Sequence, residues 1–253
     1  MISALNPIAD PSKITVGQKL IVPLVSATPV TTPTPVPPAG PSVLVQNGPR
    51  TSQGVALTLD MGGRVDDAVA IMNWLVANQV HATIFITGAM VDNPKTDAGR
   101  QVLNIISAHR ICSPWAATAI RTRTSRQSPI QPFVPNSPPP PAAIARESQL
   151  DPRPLFRPPF GTVNNHVLGV LGAAGYSRTI NWDVDTIDWR PESEGGPTTA
   201  QIAAKVLNNA RGGSIVLMHL GGYNTLAALP QIVAGLQARA LNPVTVPELL
   251  GLP

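Results

Sequence analysis

Four apolar runs in this chain each end on a polar or charged side chain at the point where a strand should stop. They are V-A-L-T-L-D-M-G-G-R (Val55–Arg64), L-F-R-P-P-F-G (Leu155–Gly161), W-D-V-D-T-I-D-W (Trp182–Trp189) and S-I-V-L-M-H (Ser214–His219). Between them lie stretches with apolar residues at helical spacing, such as Val69, Met72, Leu75 and Val76 within 66–78. Strands alternating with helices imply parallel pairing through crossover connections. Sheets of that kind carry their chemistry at the C-terminal edge of the strands. The pattern therefore predicts an α/β enzyme scaffold with Asp60, Arg157, Asp185 and His219 at one rim.

The rest of the chain fits that scheme with two exceptions. Further strands are expected over 82–87, 155–156, 178–184, 214–218 and 244–246. Further helices are expected over 99–107, 165–174, 199–210 and 225–240. The first exception is residues 24–53, where T-P-V-T-T-P-T-P-V-P-P-A-G-P (Thr28–Pro41) reads as a Pro/Thr spacer; proline removes donors and stiffens the chain toward an extended tether. The second is Arg110–Pro141, which has eight prolines, no acid and no sustained period. A structureless insert of that length is anomalous inside a compact domain.

Composition narrows the function classes. The 253 residues are 43% hydrophobic, ordinary for a globular protein, and no stretch approaches the ~20 apolar residues of a membrane span. The single cysteine, Cys112, excludes an internal disulfide and a cysteine-built metal site. The net charge of +4 is matched by Arg110, Arg121, Arg123 and Arg126 alone, so the remainder sums to zero. A basic nucleic-acid surface across the fold is not supported. A monomer is expected.

Taken in order, the four strand endings resemble the NodB-like polysaccharide deacetylases, carbohydrate esterase family 4, over about 55–250 with a break at 110–141. The resemblance implies a distorted (β/α) barrel, a divalent, zinc-like metal, and hydrolysis of an N-acetyl group on an N-acetylglucosamine-containing polysaccharide of peptidoglycan or chitin type. It implies a secreted or cell-surface protein, although no signal peptide is visible. Amide hydrolysis needs a base for the attacking water and an acid for the leaving amine. Asp60 matches the family's base and His219 its acid. Arg157 would orient Asp60 by a charge-assisted hydrogen bond. Asp185 would tune His219, with Asp188 ranked second. Phe160, Trp189 and Leu217 match the substrate-lining positions, Trp189 as an apolar wall and Leu217 in the acetyl pocket. His81 and His166 are read as structural or exposed.

Two departures from the family pattern bear on the metal. Met61 stands where the family has a second carboxylate, and a thioether serves an oxygen-liganded site poorly. The family's H-x-x-x-H-P motif, which supplies two imidazoles, has no counterpart, so no metal ligand is assigned. Synonymous codons exist for which the adjacent reading frame, from His109 onward, gives H-P-D-L-F-A-L-G-S-H-G-Y-S-H-P-D-F. That string contains the missing motif. A one-base loss near His109 with a compensating shift near 138–141 would produce the segment as written; the alternative is a natural insert.

Residues 2–23, with L-N-P-I and V-G-Q-K-L-I-V-P, resemble the C-terminal half of a LysM repeat, a small module that grips N-acetylglucosamine chains. About 20 residues cannot bury a core of their own. The expected organisation is thus a partial module over 1–23, a spacer over 24–53 and a deacetylase-like domain over 54–253. The alternative to a working enzyme is a non-catalytic glycan-binding protein built on a vestigial barrel.

Overall fold

The structure, a computed structural model, describes residues 40–109, 116–117 and 151–252. The chain divides into two compact units, Met1–Val36 and Pro37–Pro253. The half-module read over 1–23 lies outside the described residues, as does residues 110–141 apart from 116–117.

Among the described residues nine strands form one sheet: β1 Val43–Val45, β2 Gly54–Met61, β3 Thr83–Ile86, β4 Ala116–Ala117, β5 Leu155–Phe156, β6 Arg178–Ile180, β7 Val184–Asp185, β8 Ile215–His219 and β9 Asn242–Val244. Their order is β1-β6-β5-β4-β3-β2-β8-β7, with β9 also on β2. Each of these pairings is parallel. Among the described residues, five helices of nine or more residues make crossovers, Ala68–Ala77, Ala98–Ala108, Asn165–Ala173, Thr199–Asn209 and Thr225–Ala238. The α/β class and its parallel sheet agree with the alternation in the sequence.

The period-2 alternation of the strands sorts the sheet into two faces. In β2, Val55, Leu57, Leu59 and Met61 join the large cluster that also takes in the helices. Ala56 belongs instead to a smaller cluster with Phe85, Leu155, Ile180 and Ile215. Thr58 and Asp60 follow Ala56 on that second, inner face. Met61 is 1% exposed, so its thioether completes the apolar row toward the helices.

Three expectations need correction. The continuous strand over 178–184 is two strands. The amide of Asn181 donates to Val45 O, whereas that of Asp183 donates to Ile215 O, so the chain changes partners between them. β6 and β7 therefore serve opposite ends of the sheet path. The described strands make an open path rather than a hydrogen-bonded ring.

The second correction concerns the spacer, whose assigned range of 24–53 runs too far. β1 pairs with β6, the hydroxyls of Ser42 and Thr179 lie 2.7 Å apart, and Asn47 bridges to Ser214. Residues 40–53 thus belong with the sheet. A three-residue strand next to prolines carries too little pattern to be separated from a tether.

The third correction lies in 110–141, where Ala116–Ala117 pairs with β3 on one side and β5 on the other. Without it, two sheet edges would face each other unpaired.

Gly172 reports on the second correction. A Cβ there would sit 2.2 Å from Gly40 O and 2.9 Å from Ser42 N. Backbone cannot retreat as a flexible side chain would, so Gly172→Ala should cost about 1–3 kcal/mol. Urea denaturation measures this. A neutral effect would mean that residues 40–42 are not packed on the domain.

Candidate active site

The site grows from the register of β2 and β8. Asp60 and His219 are cross-strand partners at the C-terminal ends of these two central strands. Both side chains are about one-fifth exposed. Arg157 follows directly on β5 and is fully buried. Its Nη1 donates to Asp60 Oδ1 at 2.6 Å and to Thr58 Oγ1 at 2.9 Å, and its Nε donates to Ile180 O at 3.2 Å. Thr58 passes the interaction on, since its hydroxyl donates to Val216 O at 2.6 Å. The guanidinium lies 3.9 Å from the Phe85 ring centroid and 5.4 Å from that of Trp182. Burial pulls the Arg157 pKa below its usual value, against the charge and hydrogen bond of Asp60. Arginine is basic enough to keep its charge, and the carboxylate offsets the desolvation.

His219 is held on its other side by Asp188. The imidazole Nδ1 is 2.7 Å from Asp188 Oδ1, and the His219 amide donates to Asp188 Oδ2 at 2.8 Å. Thr225 Oγ1 also donates to that oxygen. Asp188 is 1% exposed, so these contacts satisfy a buried carboxylate. With Nδ1 giving its proton to Asp188, Nε2 is the nitrogen left to exchange one. Burial alone would lower the His219 pKa. The hydrogen bond and charge of Asp188, followed by the charges of Asp60 and Asp185, overcome it and hold the pKa above the ordinary value of 6.5.

This geometry reverses the ranking of the two acids. Asp185 pairs in register with Leu217, one alternate position below His219, and its Oδ1 accepts the Ile187 amide at 2.9 Å. Ile187 then takes a left-handed backbone, φ 59°. That turn carries Asp188 back onto His219. A β-branched residue at positive φ is disfavoured, and nothing local in D-T-I-D-W announces it. Asp185 contributes charge near His219; Asp188 makes the contact.

The three substrate-lining candidates lie differently. Phe160 is 91% exposed, in a turn where its own φ is 58°. Trp189 is half-exposed with Arg190 stacked 5.6 Å from its centroid. Leu217 is buried on the inner face. Sequence reasoning missed Tyr223, also half-exposed, in the loop after β8. Arg64 stacks 4.7 Å from its centroid and donates to Gly221 O at 2.9 Å, which ties the loops after β2 and β8 together. No motif flags Tyr223, because it stands four residues past the strand end.

The donor set does not fit the divalent metal that the resemblance implies. Met61 is turned into the helix-facing core. His81 is bonded to Glu248 at 2.8 Å, His166 is exposed on its helix, and His219 is engaged by Asp188. Among the described residues no group of three or more His, Cys, Asp or Glu side chains could hold a metal ion. The sequence has four histidines in all, none at H-x-x-x-H spacing.

No family model matches the chain. It is 28% identical over 204 residues to the peptidoglycan-N-acetylglucosamine deacetylase PgdA of Listeria monocytogenes, an alignment covering 80% of this chain and 40% of that protein. The chain thus spans less than half of that relative. Among solved structures, the Bc1960 peptidoglycan N-acetylglucosamine deacetylase superposes with a TM-score of 0.62 at 21% identity, covering 84% of this chain and 94% of the other. BA3943 of Bacillus anthracis, a CE4 family pseudoenzyme, superposes with a TM-score of 0.63 at 20% identity, covering 82% and 68%. The chain shares the α/β fold of these solved structures and is similar in sequence to proteins named peptidoglycan-N-acetylglucosamine deacetylases.

The Asp188 contact makes a pH prediction. A histidine whose pKa is raised in the fold contributes stability that is complete below the unfolded pKa, about 6.5, and lost as pH rises through the folded value. Unfolding free energy should therefore decline above pH ~6.5 in the parent chain. In Asp188→Asn the imidazole keeps its burial and loses its counter-charge, so its pKa should drop and that decline should flatten. Proton NMR titration of the His219 ring with urea melts at several pH values measures both. An unchanged His219 pKa in Asp188→Asn would contradict the contact.

Proposed function

We propose that this domain engages an N-acetylglucosamine-containing cell-wall polysaccharide through the acid–base half of a deacetylase site. The carrying observation is the pair of ion pairs, Arg157–Asp60 and Asp188–His219, borne by neighbouring strand ends. In hydrolysis Asp60 takes a proton from the attacking water as its oxygen bonds the acetyl carbon. His219 Nε2 gives a proton to the sugar nitrogen as the C–N bond breaks, releasing acetate and a free amine. Arg157 aims Asp60 through its charge-assisted hydrogen bond, and Asp188 fixes the imidazole tautomer. Phe160, Trp189 and Tyr223 offer walls for sugar rings, and Leu217 lines the acetyl end.

What this site lacks is an electrophile for the carbonyl oxygen, the part a divalent metal plays in metal-dependent deacetylation. Losing such stabilisation costs on the order of 10²–10³ in rate or more. Hydrolysis by the chain as written is accordingly impaired, and glycan binding without turnover is the second reading, favoured by Met61 and the absent H-x-x-x-H. We read the sheet as a distorted barrel whose seam is crossed by residues 181–183. Residues 1–23 are read as a LysM remnant on a Pro-rich tether, and the protein as secreted or surface-attached.

Acetate release from an N-acetylglucosamine oligomer, with zinc or cobalt supplied, tests the proposal. Release should fall about 10³-fold or more below that of a metal-loaded deacetylase assayed alongside, and Asp60→Asn should abolish the remainder. Strong metal-dependent release would contradict the impairment, and release that survives Asp60→Asn would contradict the base.

A further inference from the structure

Tyr223 is an exposed aromatic residue whose backbone is fixed from two sides. The chain leaves β8 at His219 and is held from the next residue on. The Leu220 amide donates to Asp60 O at 3.0 Å, and the Gly222 amide donates to His219 O at 3.0 Å. Gly221 lies against the loop after β2, since a Cβ there would sit 1.8 Å from Arg64 O. The Tyr223 amide donates to Asp188 O at 2.8 Å. Asn224 Nδ2 then donates to Glu192 Oε1 at 2.8 Å and to Pro197 O at 3.0 Å. Residues 220–224 are thus tied to the loops after β2 and β7.

The ring is held as well. The Arg64 guanidinium lies 4.7 Å from its centroid, a favourable place for a cation. That guanidinium is itself anchored. Its Nη1 donates to Gly221 O at 2.9 Å and lies 3.6 Å from Asp67, and its Nε lies 2.7 Å from Asp66. With Arg64 on the ring, Tyr223 still remains 43% exposed. The other two rim aromatics are mounted differently. Phe160 is 91% exposed, and the cation on Trp189 is its own chain neighbour, Arg190.

A side chain that orders only when a ligand arrives gives up affinity in ordering, whereas a ring already held gives up little. A flat apolar ring with a polar tip suits the C–H face of a pyranose, whose hydroxyls point outward. Tyr223 offers such a ring within one tight turn of His219.

We propose that Tyr223 anchors a sugar subsite beside the reacting position and that Arg64 is its positioning residue. The inference deepens the glycan reading above and rests on it. The subsite takes the pyranose unit next along the polymer from the one facing Asp60 and His219. Recognition is therefore of an oligomer, and Arg64 contributes by holding the ring and joining the loops, without touching the sugar.

Calorimetric titration of the full chain with the N-acetylglucosamine tetramer tests this. Tyr223→Leu keeps apolar bulk without a flat face and should weaken binding about tenfold, the scale of one anchor residue. Tyr223→Phe should stay within about twofold of the parent, because the ring does the stacking. Arg64→Ala should weaken binding about threefold, and should have no further effect when added to Tyr223→Leu. The His219 ring should titrate in Tyr223→Leu as in the parent, showing that the rim is intact. A shifted His219 titration with lost binding would make Tyr223 a prop of the rim and overturn the subsite. Parent-like binding by Tyr223→Leu, or an Arg64→Ala loss undiminished in that background, would overturn the inference and leave the glycan reading standing. Failure of the parent to bind the tetramer would overturn both.

Discussion

A fully buried guanidinium is the constraint around which the edge of this sheet is arranged. Arg157 has no exposed surface, and moving a cation out of water costs several kcal/mol unless partners replace the solvent. The chain supplies them from four strands: Asp60 and Thr58 on β2, the carbonyl of Ile180 on β6, the ring of Phe85 on β3, and Val216 of β8 through Thr58. Removing the cation would leave Asp60 facing an apolar layer, and removing Asp60 would leave a buried cation half-paired. The two residues depend on each other, and the base position exists because the arginine does.

The second ion pair is built on a different principle. Asp188 reaches His219 from an irregular loop, through a left-handed isoleucine and a contact with Thr225 so close that Gly222 can carry no side chain. A Cβ on Gly222 would meet Thr225 Oγ1 at 2.0 Å and Asp188 Oδ2 at 2.4 Å. One half of the site is therefore set by strand register and the other by loop packing. The metal half of the family pattern is missing from both: at Met61 the side chain faces the wrong layer, and the imidazole pair is absent from the sequence.

Much of this was legible before any coordinates. The alternation of apolar runs gave the parallel α/β class, and the polar terminator of each run marked Asp60, Arg157, Asp185 and His219 for one rim. What stayed illegible has physical causes. Asp185, the last residue of β7, and Asp188 stand only three positions apart, and their order turns on the backbone of Ile187, which no propensity predicts. β1 is three residues long and hidden among prolines. The break between β6 and β7 arises from a change of strand partner, which hydrophobic pattern does not encode. Tyr223 gained a place at the rim through Arg64, a residue whose own partners lie in two separate loops.

The dependence of the edge on its buried pair can be measured directly by a double-mutant cycle on unfolding free energy. The cycle uses Asp60→Asn, Arg157→Met and the two combined. Each single change should destabilise by about 2–5 kcal/mol, because each strands the other group away from its partner. The combined change should cost less than the sum, by a coupling of about 2 kcal/mol or more. Additive costs, with no coupling between positions 60 and 157, would contradict the claim that this pair organises the site.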